Sequence, residues 1–432
     1  MKVLTLLGTR PEIIRLSRVI PLLDERCEHV LVHTGQNFDD RLSDVFFAEL
    51  GLRPPNHVLG IRGSFGTQLG SLLPQCERLL AQHRPDRFLV LGDTNSALAA
   101  LVAKRLGIPV YHMEAGNRAF DERVPEELNR RVVDHASDVL LPYTERSRQN
   151  LLREGIHPRR IYVTGNPIFE VLTHYAAQIA ASDVLNRLGL TAGAYFLVTL
   201  HRAENVDHPA RFSRLLAALA QLQTTYGVPV IVSTHPRTRQ RLESRRQGSS
   251  AGSLAEDAPL PADVRFCEPF GLFDFVALEQ QARCVLTDSG TVQEECAIFR
   301  VPNVTLRDVT ERPETLECGS NVLAGSDPQQ VVECVAADLR HTLTQHVPGA
   351  HMLTLHQMVE AHRWWQRGQQ WYSTVYPLYQ IGRLLTNPSA GLIREAGAAM
   401  AAGVWRQSVR DVRAWLVDYA IKKAGYHAIC LY

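Results

Sequence analysis

Short unbroken apolar runs recur along the first half of the chain, each followed by a longer stretch of helical period. The runs are "KVLTLLG" (2–8), "EHVLVHTG" (28–35), "RFLVLGD" (87–93), "PVYHMEAG" (109–116), "DVLLPY" (138–143) and "IYVTG" (161–165). Their apolar positions are consecutive rather than alternating, which marks strands covered on both faces and hence a parallel sheet. Between them, "SALAALVAKRLG" (96–107) predicts a crossover helix, with Leu98, Leu101, Val102 and Leu106 on one face and Gly107 at its stop. The pattern pauses at 165–194, a helix-and-linker stretch. It resumes with "YFLVTLHR" (195–202), "VPVIVSTHP" (228–236), "VRFCEP" (264–269), "CVLTDSG" (284–290) and "VPNVTLRD" (301–308). This alternation predicts an α/β protein with two Rossmann-like doubly wound domains, residues 1–170 and 171–350, facing across a cleft. "RRQGSSAGSLAEDAPLPAD" (245–263) interrupts the second half as a polar surface loop.

Residues 351–432 break the pattern. All five tryptophans (Trp364, Trp365, Trp371, Trp405 and Trp415) lie there, and Trp405, Val409, Val412, Leu416 and Tyr419 form one stripe of helical spacing. That stripe must be covered by the rest of the protein or by a partner.

Composition narrows the function classes. The 46 Lys and Arg stand against 45 Asp and Glu, a formal charge of +1, without the basic excess expected of a nucleic-acid or membrane-surface protein. No run approaches the ~20 apolar residues of a membrane span, and "MKVLTLLGTRPE" is too short for a secretory signal. The eight cysteines are scattered without a CxxC pair. Cys267, Cys284, Cys296 and Cys318 are expected to be small core residues. A cytoplasmic protein is the default, with no metal or other cofactor implied.

In parallel α/β sheets, ligands bind beyond the carboxyl ends of the strands. The polar clusters fall there: "GTRPE" (8–12), "GDTNS" (92–96), "HRAEN" (201–205), "THPRTR" (234–239) and "DSGTVQEE" (288–295). One acid or serine after a strand is usually only a helix cap; five clusters at two sets of strand ends are a stronger signal. Most charged of all is "HMEAGNRAFDERVPEELNR" (112–130), with Glu114, Asp121, Glu122, Glu126 and Glu127 among Arg118, Arg123 and Arg130. The simplest role for those arginines is to neutralise the acids, and Asp121, Glu122 and Glu127 are read as solvated or structural. His112 and His235 are read as satisfied strand-end residues. No GxGxxG follows the first strand, and no GxxxxGK[ST] loop, metal-ligand spacing or GxSxG turn occurs.

These clusters, together with "HTGQ" (33–36), "PEELNR" (125–130) and "TERPE" (310–314), in this order and spacing resemble the non-hydrolysing UDP-N-acetylglucosamine 2-epimerases over residues 1 to about 345. "EIIRLSRV" and "HMEAGNRAFDERVPEE" resemble the branch acting on UDP-2-acetamido-2,6-dideoxy-talose, whereas "TLRDVTERPETLECGSNVLAG" resembles the general branch. The resemblance implies a glycosyltransferase-B type fold, a UDP-N-acetylhexosamine substrate, no cofactor and a homodimer. Members invert C2 by eliminating UDP to a 2-acetamidoglucal and adding it back. Carried over by motif, Asp93, Glu114, Glu126 and His201 would be catalytic. Clustered carboxylates in a closed cleft would repel one another and shift upward in pKa. Arg10 would meet the diphosphate, Ser289 and Gly290 would open a phosphate-facing helix, Glu295 would accept the ribose hydroxyls, and Arg312 would bind ligand. Gln36 and Arg202 fall near a second nucleotide-sugar site of some members, although "GQN" and "HRAE" here depart from that pattern. A hydrolysing 2-epimerase, a glycosyltransferase on the same fold and a non-catalytic UDP-sugar-binding regulator are the competing readings.

Overall fold

The computed structural model describes residues 1–36, 46–246 and 261–345. Residues 1–342 form one compact unit built around two parallel six-stranded sheets. The first contains β1 (Lys2–Leu7), β2 (Glu28–His33), β3 (His57–Val58), β4 (Arg87–Leu91), β5 (Val110–Met113) and β6 (Val139–Leu141), in the order β3-β2-β1-β4-β5-β6. The second contains β7 (Phe196–Leu200), β8 (Val230–Thr234), β9 (Val264–Cys267), β10 (Cys284–Thr287), β11 (Asn303–Thr305) and β12 (Val322–Leu323). Its order, β9-β8-β7-β10-β11-β12, repeats the same winding. In each sheet the order reverses beside the first strand, between β1 and β4 and between β7 and β10, which is where a doubly wound sheet opens a crevice.

The apolar runs become strands because both of their faces are covered. Val3 through Leu7 and Phe196 through Leu200 are buried without a break. Their side chains pack under helices such as Phe65–His83, Pro209–Tyr226 and Leu272–Gln280.

Three expectations change. The run 161–165 is no strand: Ile161 makes a single bridge to Leu140, and Tyr162 and Val163 face solvent as the chain leaves the sheet for the helix Pro167–His174. β3 and β12 are two-residue edge strands, too short for any period to reveal. The crossover after β4 starts as a 3-10 turn, Asn95–Ala99, before the helix Ala100–Arg105. The tighter winding shifts the phase, so Leu98, Ala99, Ala100 and Ala103 are buried while Leu101 and Leu106 are exposed. An alanine face lets the crossover lie close on the sheet. Cys284 and Cys296 are core residues and Cys267 is half-buried, as read, but Cys318 is exposed. Residues 247–260 of the surface loop read over 245–263, and the tryptophan stripe, lie outside the described residues.

Candidate active site

At the end of β1, "GTRPE" folds into a turn and the helix Arg10–Leu16. Glu12 organises this turn: Oε2 accepts from the Gly8 and Thr9 amides at 2.9 and 2.7 Å and from Thr9 Oγ1 at 2.8 Å. Its Oε1 accepts from Thr94 Oγ1 at 3.1 Å, tying the loops after β1 and β4 together. Gly8 serves close approach rather than an unusual dihedral. A Cβ there would lie 2.2 Å from Thr34 Oγ1 and 2.3 Å from Ser96 Oγ.

The sequence-predicted acids of the first half do gather at these strand ends. They are not left to repel one another, because each meets an arginine. Asp93, after β4, pairs with Arg130. Glu126, in the first turn of the helix Pro125–Ala136, pairs with Arg202 from the second half at 3.2 Å. Glu114, directly after β5, takes a left-handed φ of 64°, a strained backbone for a residue with a Cβ.

Glu114 belongs to a closed ring of alternating charges. It pairs with Arg15 and, at 2.7 Å, with Arg312. Arg15 reaches Glu294 at 2.6 Å, and Arg312 also pairs with Glu294. Glu114 and Arg15 come from the first half, Glu294 and Arg312 from the second, and all four side chains are buried or nearly so. Each charge touches two of opposite sign, the condition under which such groups tolerate loss of water. Burial pushes the Glu294 carboxyl upward, but Arg312 and Arg15 outweigh it and hold it below the ordinary range. Beside the ring, the buried Tyr143 hydroxyl has no hydrogen-bond partner, and its ring lies under the Arg15 guanidinium at 5.6 Å.

On the second half, Ser289 caps the helix Gly290–Phe299 after β10. The Arg312 guanidinium lies 3.7 Å from where a Cβ on Gly290 would stand. A cation and free helix amides thus share one spot, an arrangement suited to phosphate. Glu295 is buried one turn into that helix; burial pushes its carboxyl up to about 7 against the pull of Arg15, with Glu294 adding to the rise. Arg10 lies over the Phe46 ring at 5.3 Å, and burial lowers its pKa despite the charges of Glu295 and Glu49.

His201, after β7, turns Nδ1 to Asp288 Oδ1 at 3.0 Å, which leaves Nε2 as the nitrogen open to a ligand. Asp288 is wholly buried and also accepts from the amides of His201 and Arg202 at 2.9 and 3.0 Å. Burial raises its carboxyl, but His201 and these amides hold it far below the ordinary range. Gln36 accepts from Ser96 Oγ at 2.8 Å, while Arg202 faces Glu126 and Glu311, so the two make separate sets of contacts.

The bland assignments are accounted for. His112 has acceptors on both nitrogens, Asp134 and the Gly92 carbonyl, each at 2.8 Å. His235 Nδ1 accepts from the Arg237 amide at 3.2 Å. Arg118 is held by Asp134 and Glu154, and Arg123 by Asp121. Glu127 is structural and buried, accepting from the Ala119 and Phe120 amides and facing Arg130. Sequence reasoning missed Glu12, Arg15, Asp288 and Glu294. Arg15 had a signal, since it is a lone charge among Ile13, Ile14 and Leu16 on a helix facing the core. Among the described residues no three His, Cys, Asp or Glu side chains are grouped as a metal site requires, and no helix is long and apolar enough to cross a membrane.

Two parallel sheets of identical winding, meeting through charged strand-end loops, define an α/β protein of glycosyltransferase-B type. The family described as UDP-N-acetylglucosamine 2-epimerase matches residues 23–353, and the chain belongs to that family. A Methanocaldococcus jannaschii protein named UDP-N-acetylglucosamine 2-epimerase is 41% identical over 342 residues, covering 78% of this chain and 91% of that protein. A Pseudomonas aeruginosa protein named UDP-2,3-diacetamido-2,3-dideoxy-D-glucuronate 2-epimerase is 38% identical over 349 residues, covering 79% and 94%. The crystal structure of the M. jannaschii UDP-GlcNAc 2-epimerase in complex with UDP-GlcNAc and UDP superposes with a TM-score of 0.72 at 40% identity, covering 78% of this chain and 93% of that one.

Proposed function

We propose that this chain is a non-hydrolysing 2-epimerase of a UDP-N-acetylhexosamine. The observation that carries the reading is the direct contact between Arg312, beside the phosphate-suited helix start, and Glu114, on the acid-bearing edge. It sets a site for the leaving diphosphate next to a carboxylate able to move a proton.

The chemistry follows from the substrate. A base takes the C2 proton while the C1–O bond breaks, and the electron pair leaves with UDP to give a 2-acetamidoglucal. Proton delivery to the other face of C2 and return of UDP to C1 complete the inversion. Asp93, Glu114 and Glu126 are the acid–base candidates, and His201, oriented by Asp288, sits near the diphosphate. Arg10, Arg312 and the amides at Ser289 and Gly290 stabilise the leaving charge, and Glu295 holds the ribose. Elimination and re-addition need no redox partner. The two halves, residues 1–170 and 171–350, act as the domains of a cytoplasmic homodimer, a reading supported by the family resemblance and checked by solution mass.

Turnover of UDP-GlcNAc in deuterated water should place deuterium at C2 of a product still linked to UDP. Free sugar plus UDP would instead indicate a hydrolysing enzyme, and an unlabelled C2 would overturn the reading. The relative named for a diacetamido-glucuronate keeps the sugar itself open; parallel incubations with 6-deoxy and 3-acetamido nucleotide sugars decide it.

A further inference from the structure

Tyr143 stands two residues beyond the end of β6. That strand end is tied to the one beside it, because the Leu141 carbonyl accepts from the Glu114 amide at 3.1 Å. The next residue, Thr144, caps the helix Glu145–Arg153 and donates through Oγ1 to Glu314 Oε1 at 2.8 Å. Glu314 belongs to the helix Pro313–Glu317, which begins directly after Arg312. The backbone at Tyr143 is thus bracketed by Glu114 on one side and the Arg312 segment on the other.

Its side chain is buried, and its hydroxyl meets no hydrogen-bond partner among the described residues. The Arg15 guanidinium lies over the ring at 5.6 Å, and Arg15 Nε is likewise buried without a partner. Two donors lacking an acceptor therefore stand together, beside the Glu114 carboxylate that pairs with Arg15. A hydroxyl buried without a hydrogen bond carries the cost of its lost hydration, and buried tyrosines ordinarily find a partner. Phenylalanine would fill the same space without that cost. Burial pushes the phenol up to about 12 against the pull of Arg15, so it stays a neutral donor at neutral pH.

We propose that the Tyr143 hydroxyl donates to the sugar of the substrate, at the carbonyl oxygen of its 2-acetamido group. The inference rests on the reading of the substrate as a UDP-N-acetylhexosamine. On that reading the diphosphate already has Arg10, Arg312 and the helix amides. The acetamido carbonyl accepts and cannot donate, which is what two unpaired donors call for. It also hangs from C2, the carbon at which Glu114 is an acid–base candidate. Tyr143 thereby selects for the acetamido group and fixes C2 against the carboxylate.

The test is calorimetric binding of UDP, UDP-GlcNAc and UDP-glucose, which has a hydroxyl in place of the acetamido group, to the full chain and its Tyr143→Phe variant. The wild type should prefer UDP-GlcNAc to UDP-glucose; without that preference the N-acetylhexosamine reading itself fails. Tyr143→Phe should cut the preference about tenfold and leave UDP affinity unchanged. Its Tm without ligand should not fall, since the change breaks no hydrogen bond of the free protein. A preference kept in full would overturn the role of Tyr143 alone. An equal loss of UDP affinity would put the hydroxyl on the diphosphate and overturn its assignment to the sugar. A lowered Tm with the preference intact would make the hydroxyl structural, which also overturns the proposal.

Discussion

The two sheets share one winding, yet their strand-end edges carry opposite electrostatics. The first edge presents acids: Asp93, Glu114 and Glu126. The second presents what attracts anions: the Ser289–Gly290 helix start and the guanidinium of Arg312, with its own acids Asp288, Glu294 and Glu295 sunk beneath. Two of the three acids on the first edge take an arginine from the other half, Glu114 from Arg312 and Glu126 from Arg202. Fold duplication thus supplies two crevices, and the meeting of the halves sets the charge environment of the reacting groups. In the proposed reading most proton-transfer candidates lie on the first edge and most nucleotide contacts on the second, with Arg10 of the first edge and His201 of the second crossing that division.

That division breaks most sharply at the acids. Glu114→Gln, Glu126→Gln and Asp93→Asn should each lower kcat by roughly 10²–10⁴-fold, as loss of a positioned acid or base does. UDP affinity should change little, because apart from Arg10 its proposed contacts lie on the other edge. Ser289 and Glu295 variants should show the reverse pattern, with weaker UDP binding and a smaller fall in kcat. Amide variants turning over near the normal rate would overturn the assignment.

The charge ring tests the joint between the two edges. Arg312→Ala leaves Glu114 and Glu294 each short of a cation in a buried setting, and breaking such a pair costs about 3–5 kcal/mol. Denaturant unfolding should show that loss, and Glu114→Gln in the same background should recover part of it, since the two residues are in contact. Independent, additive effects would mean that the ring contributes nothing as a unit.

Most of this fold was legible because parallel strands covered on both faces read as unbroken apolar runs, and ten of them did. What stayed hidden has physical reasons. β3 and β12 are too short to show a period, and the 3-10 turn at Asn95 shifts a helical face without any change in composition. The site was legible where polar clusters follow strands. It was not legible at Glu294 and Asp288, nor in the partner of Arg15, because those partners are remote in sequence: Glu114 lies 99 positions from Arg15, a separation over which local spacing says nothing. The crowding expected of these carboxylates took no account of the arginines that pair with Asp93, Glu114 and Glu126.

Close approach at the first crevice gives a smaller effect. Gly8→Ala would drive a methyl group into Thr34 and Ser96, and overpacking of this kind costs about 1–3 kcal/mol. The urea midpoint should drop while the slope stays constant. An unchanged midpoint would show that the loops after β1, β2 and β4 can spread without cost.

The smallest effect is a slope against pH, and it belongs to the second edge. Glu295 is carried up to about 7 in the folded protein by burial, from an ordinary carboxyl value of 4.5. Between those values the folded state holds more protons than the unfolded state, so raising the pH favours unfolding. The stability linked to this proton is fully present below about pH 4.5 and lost as pH rises through about 7. Glu295→Gln removes the titration while keeping the shape. Relative to wild type, the variant should therefore gain stability steadily from acid to neutral pH, a difference of a few degrees in Tm by calorimetry in the absence of nucleotide. Parallel wild-type and variant curves across that range would mean that Glu295 is already ionised in the folded protein at acid pH, and that Arg10 and Arg15 outweigh its burial.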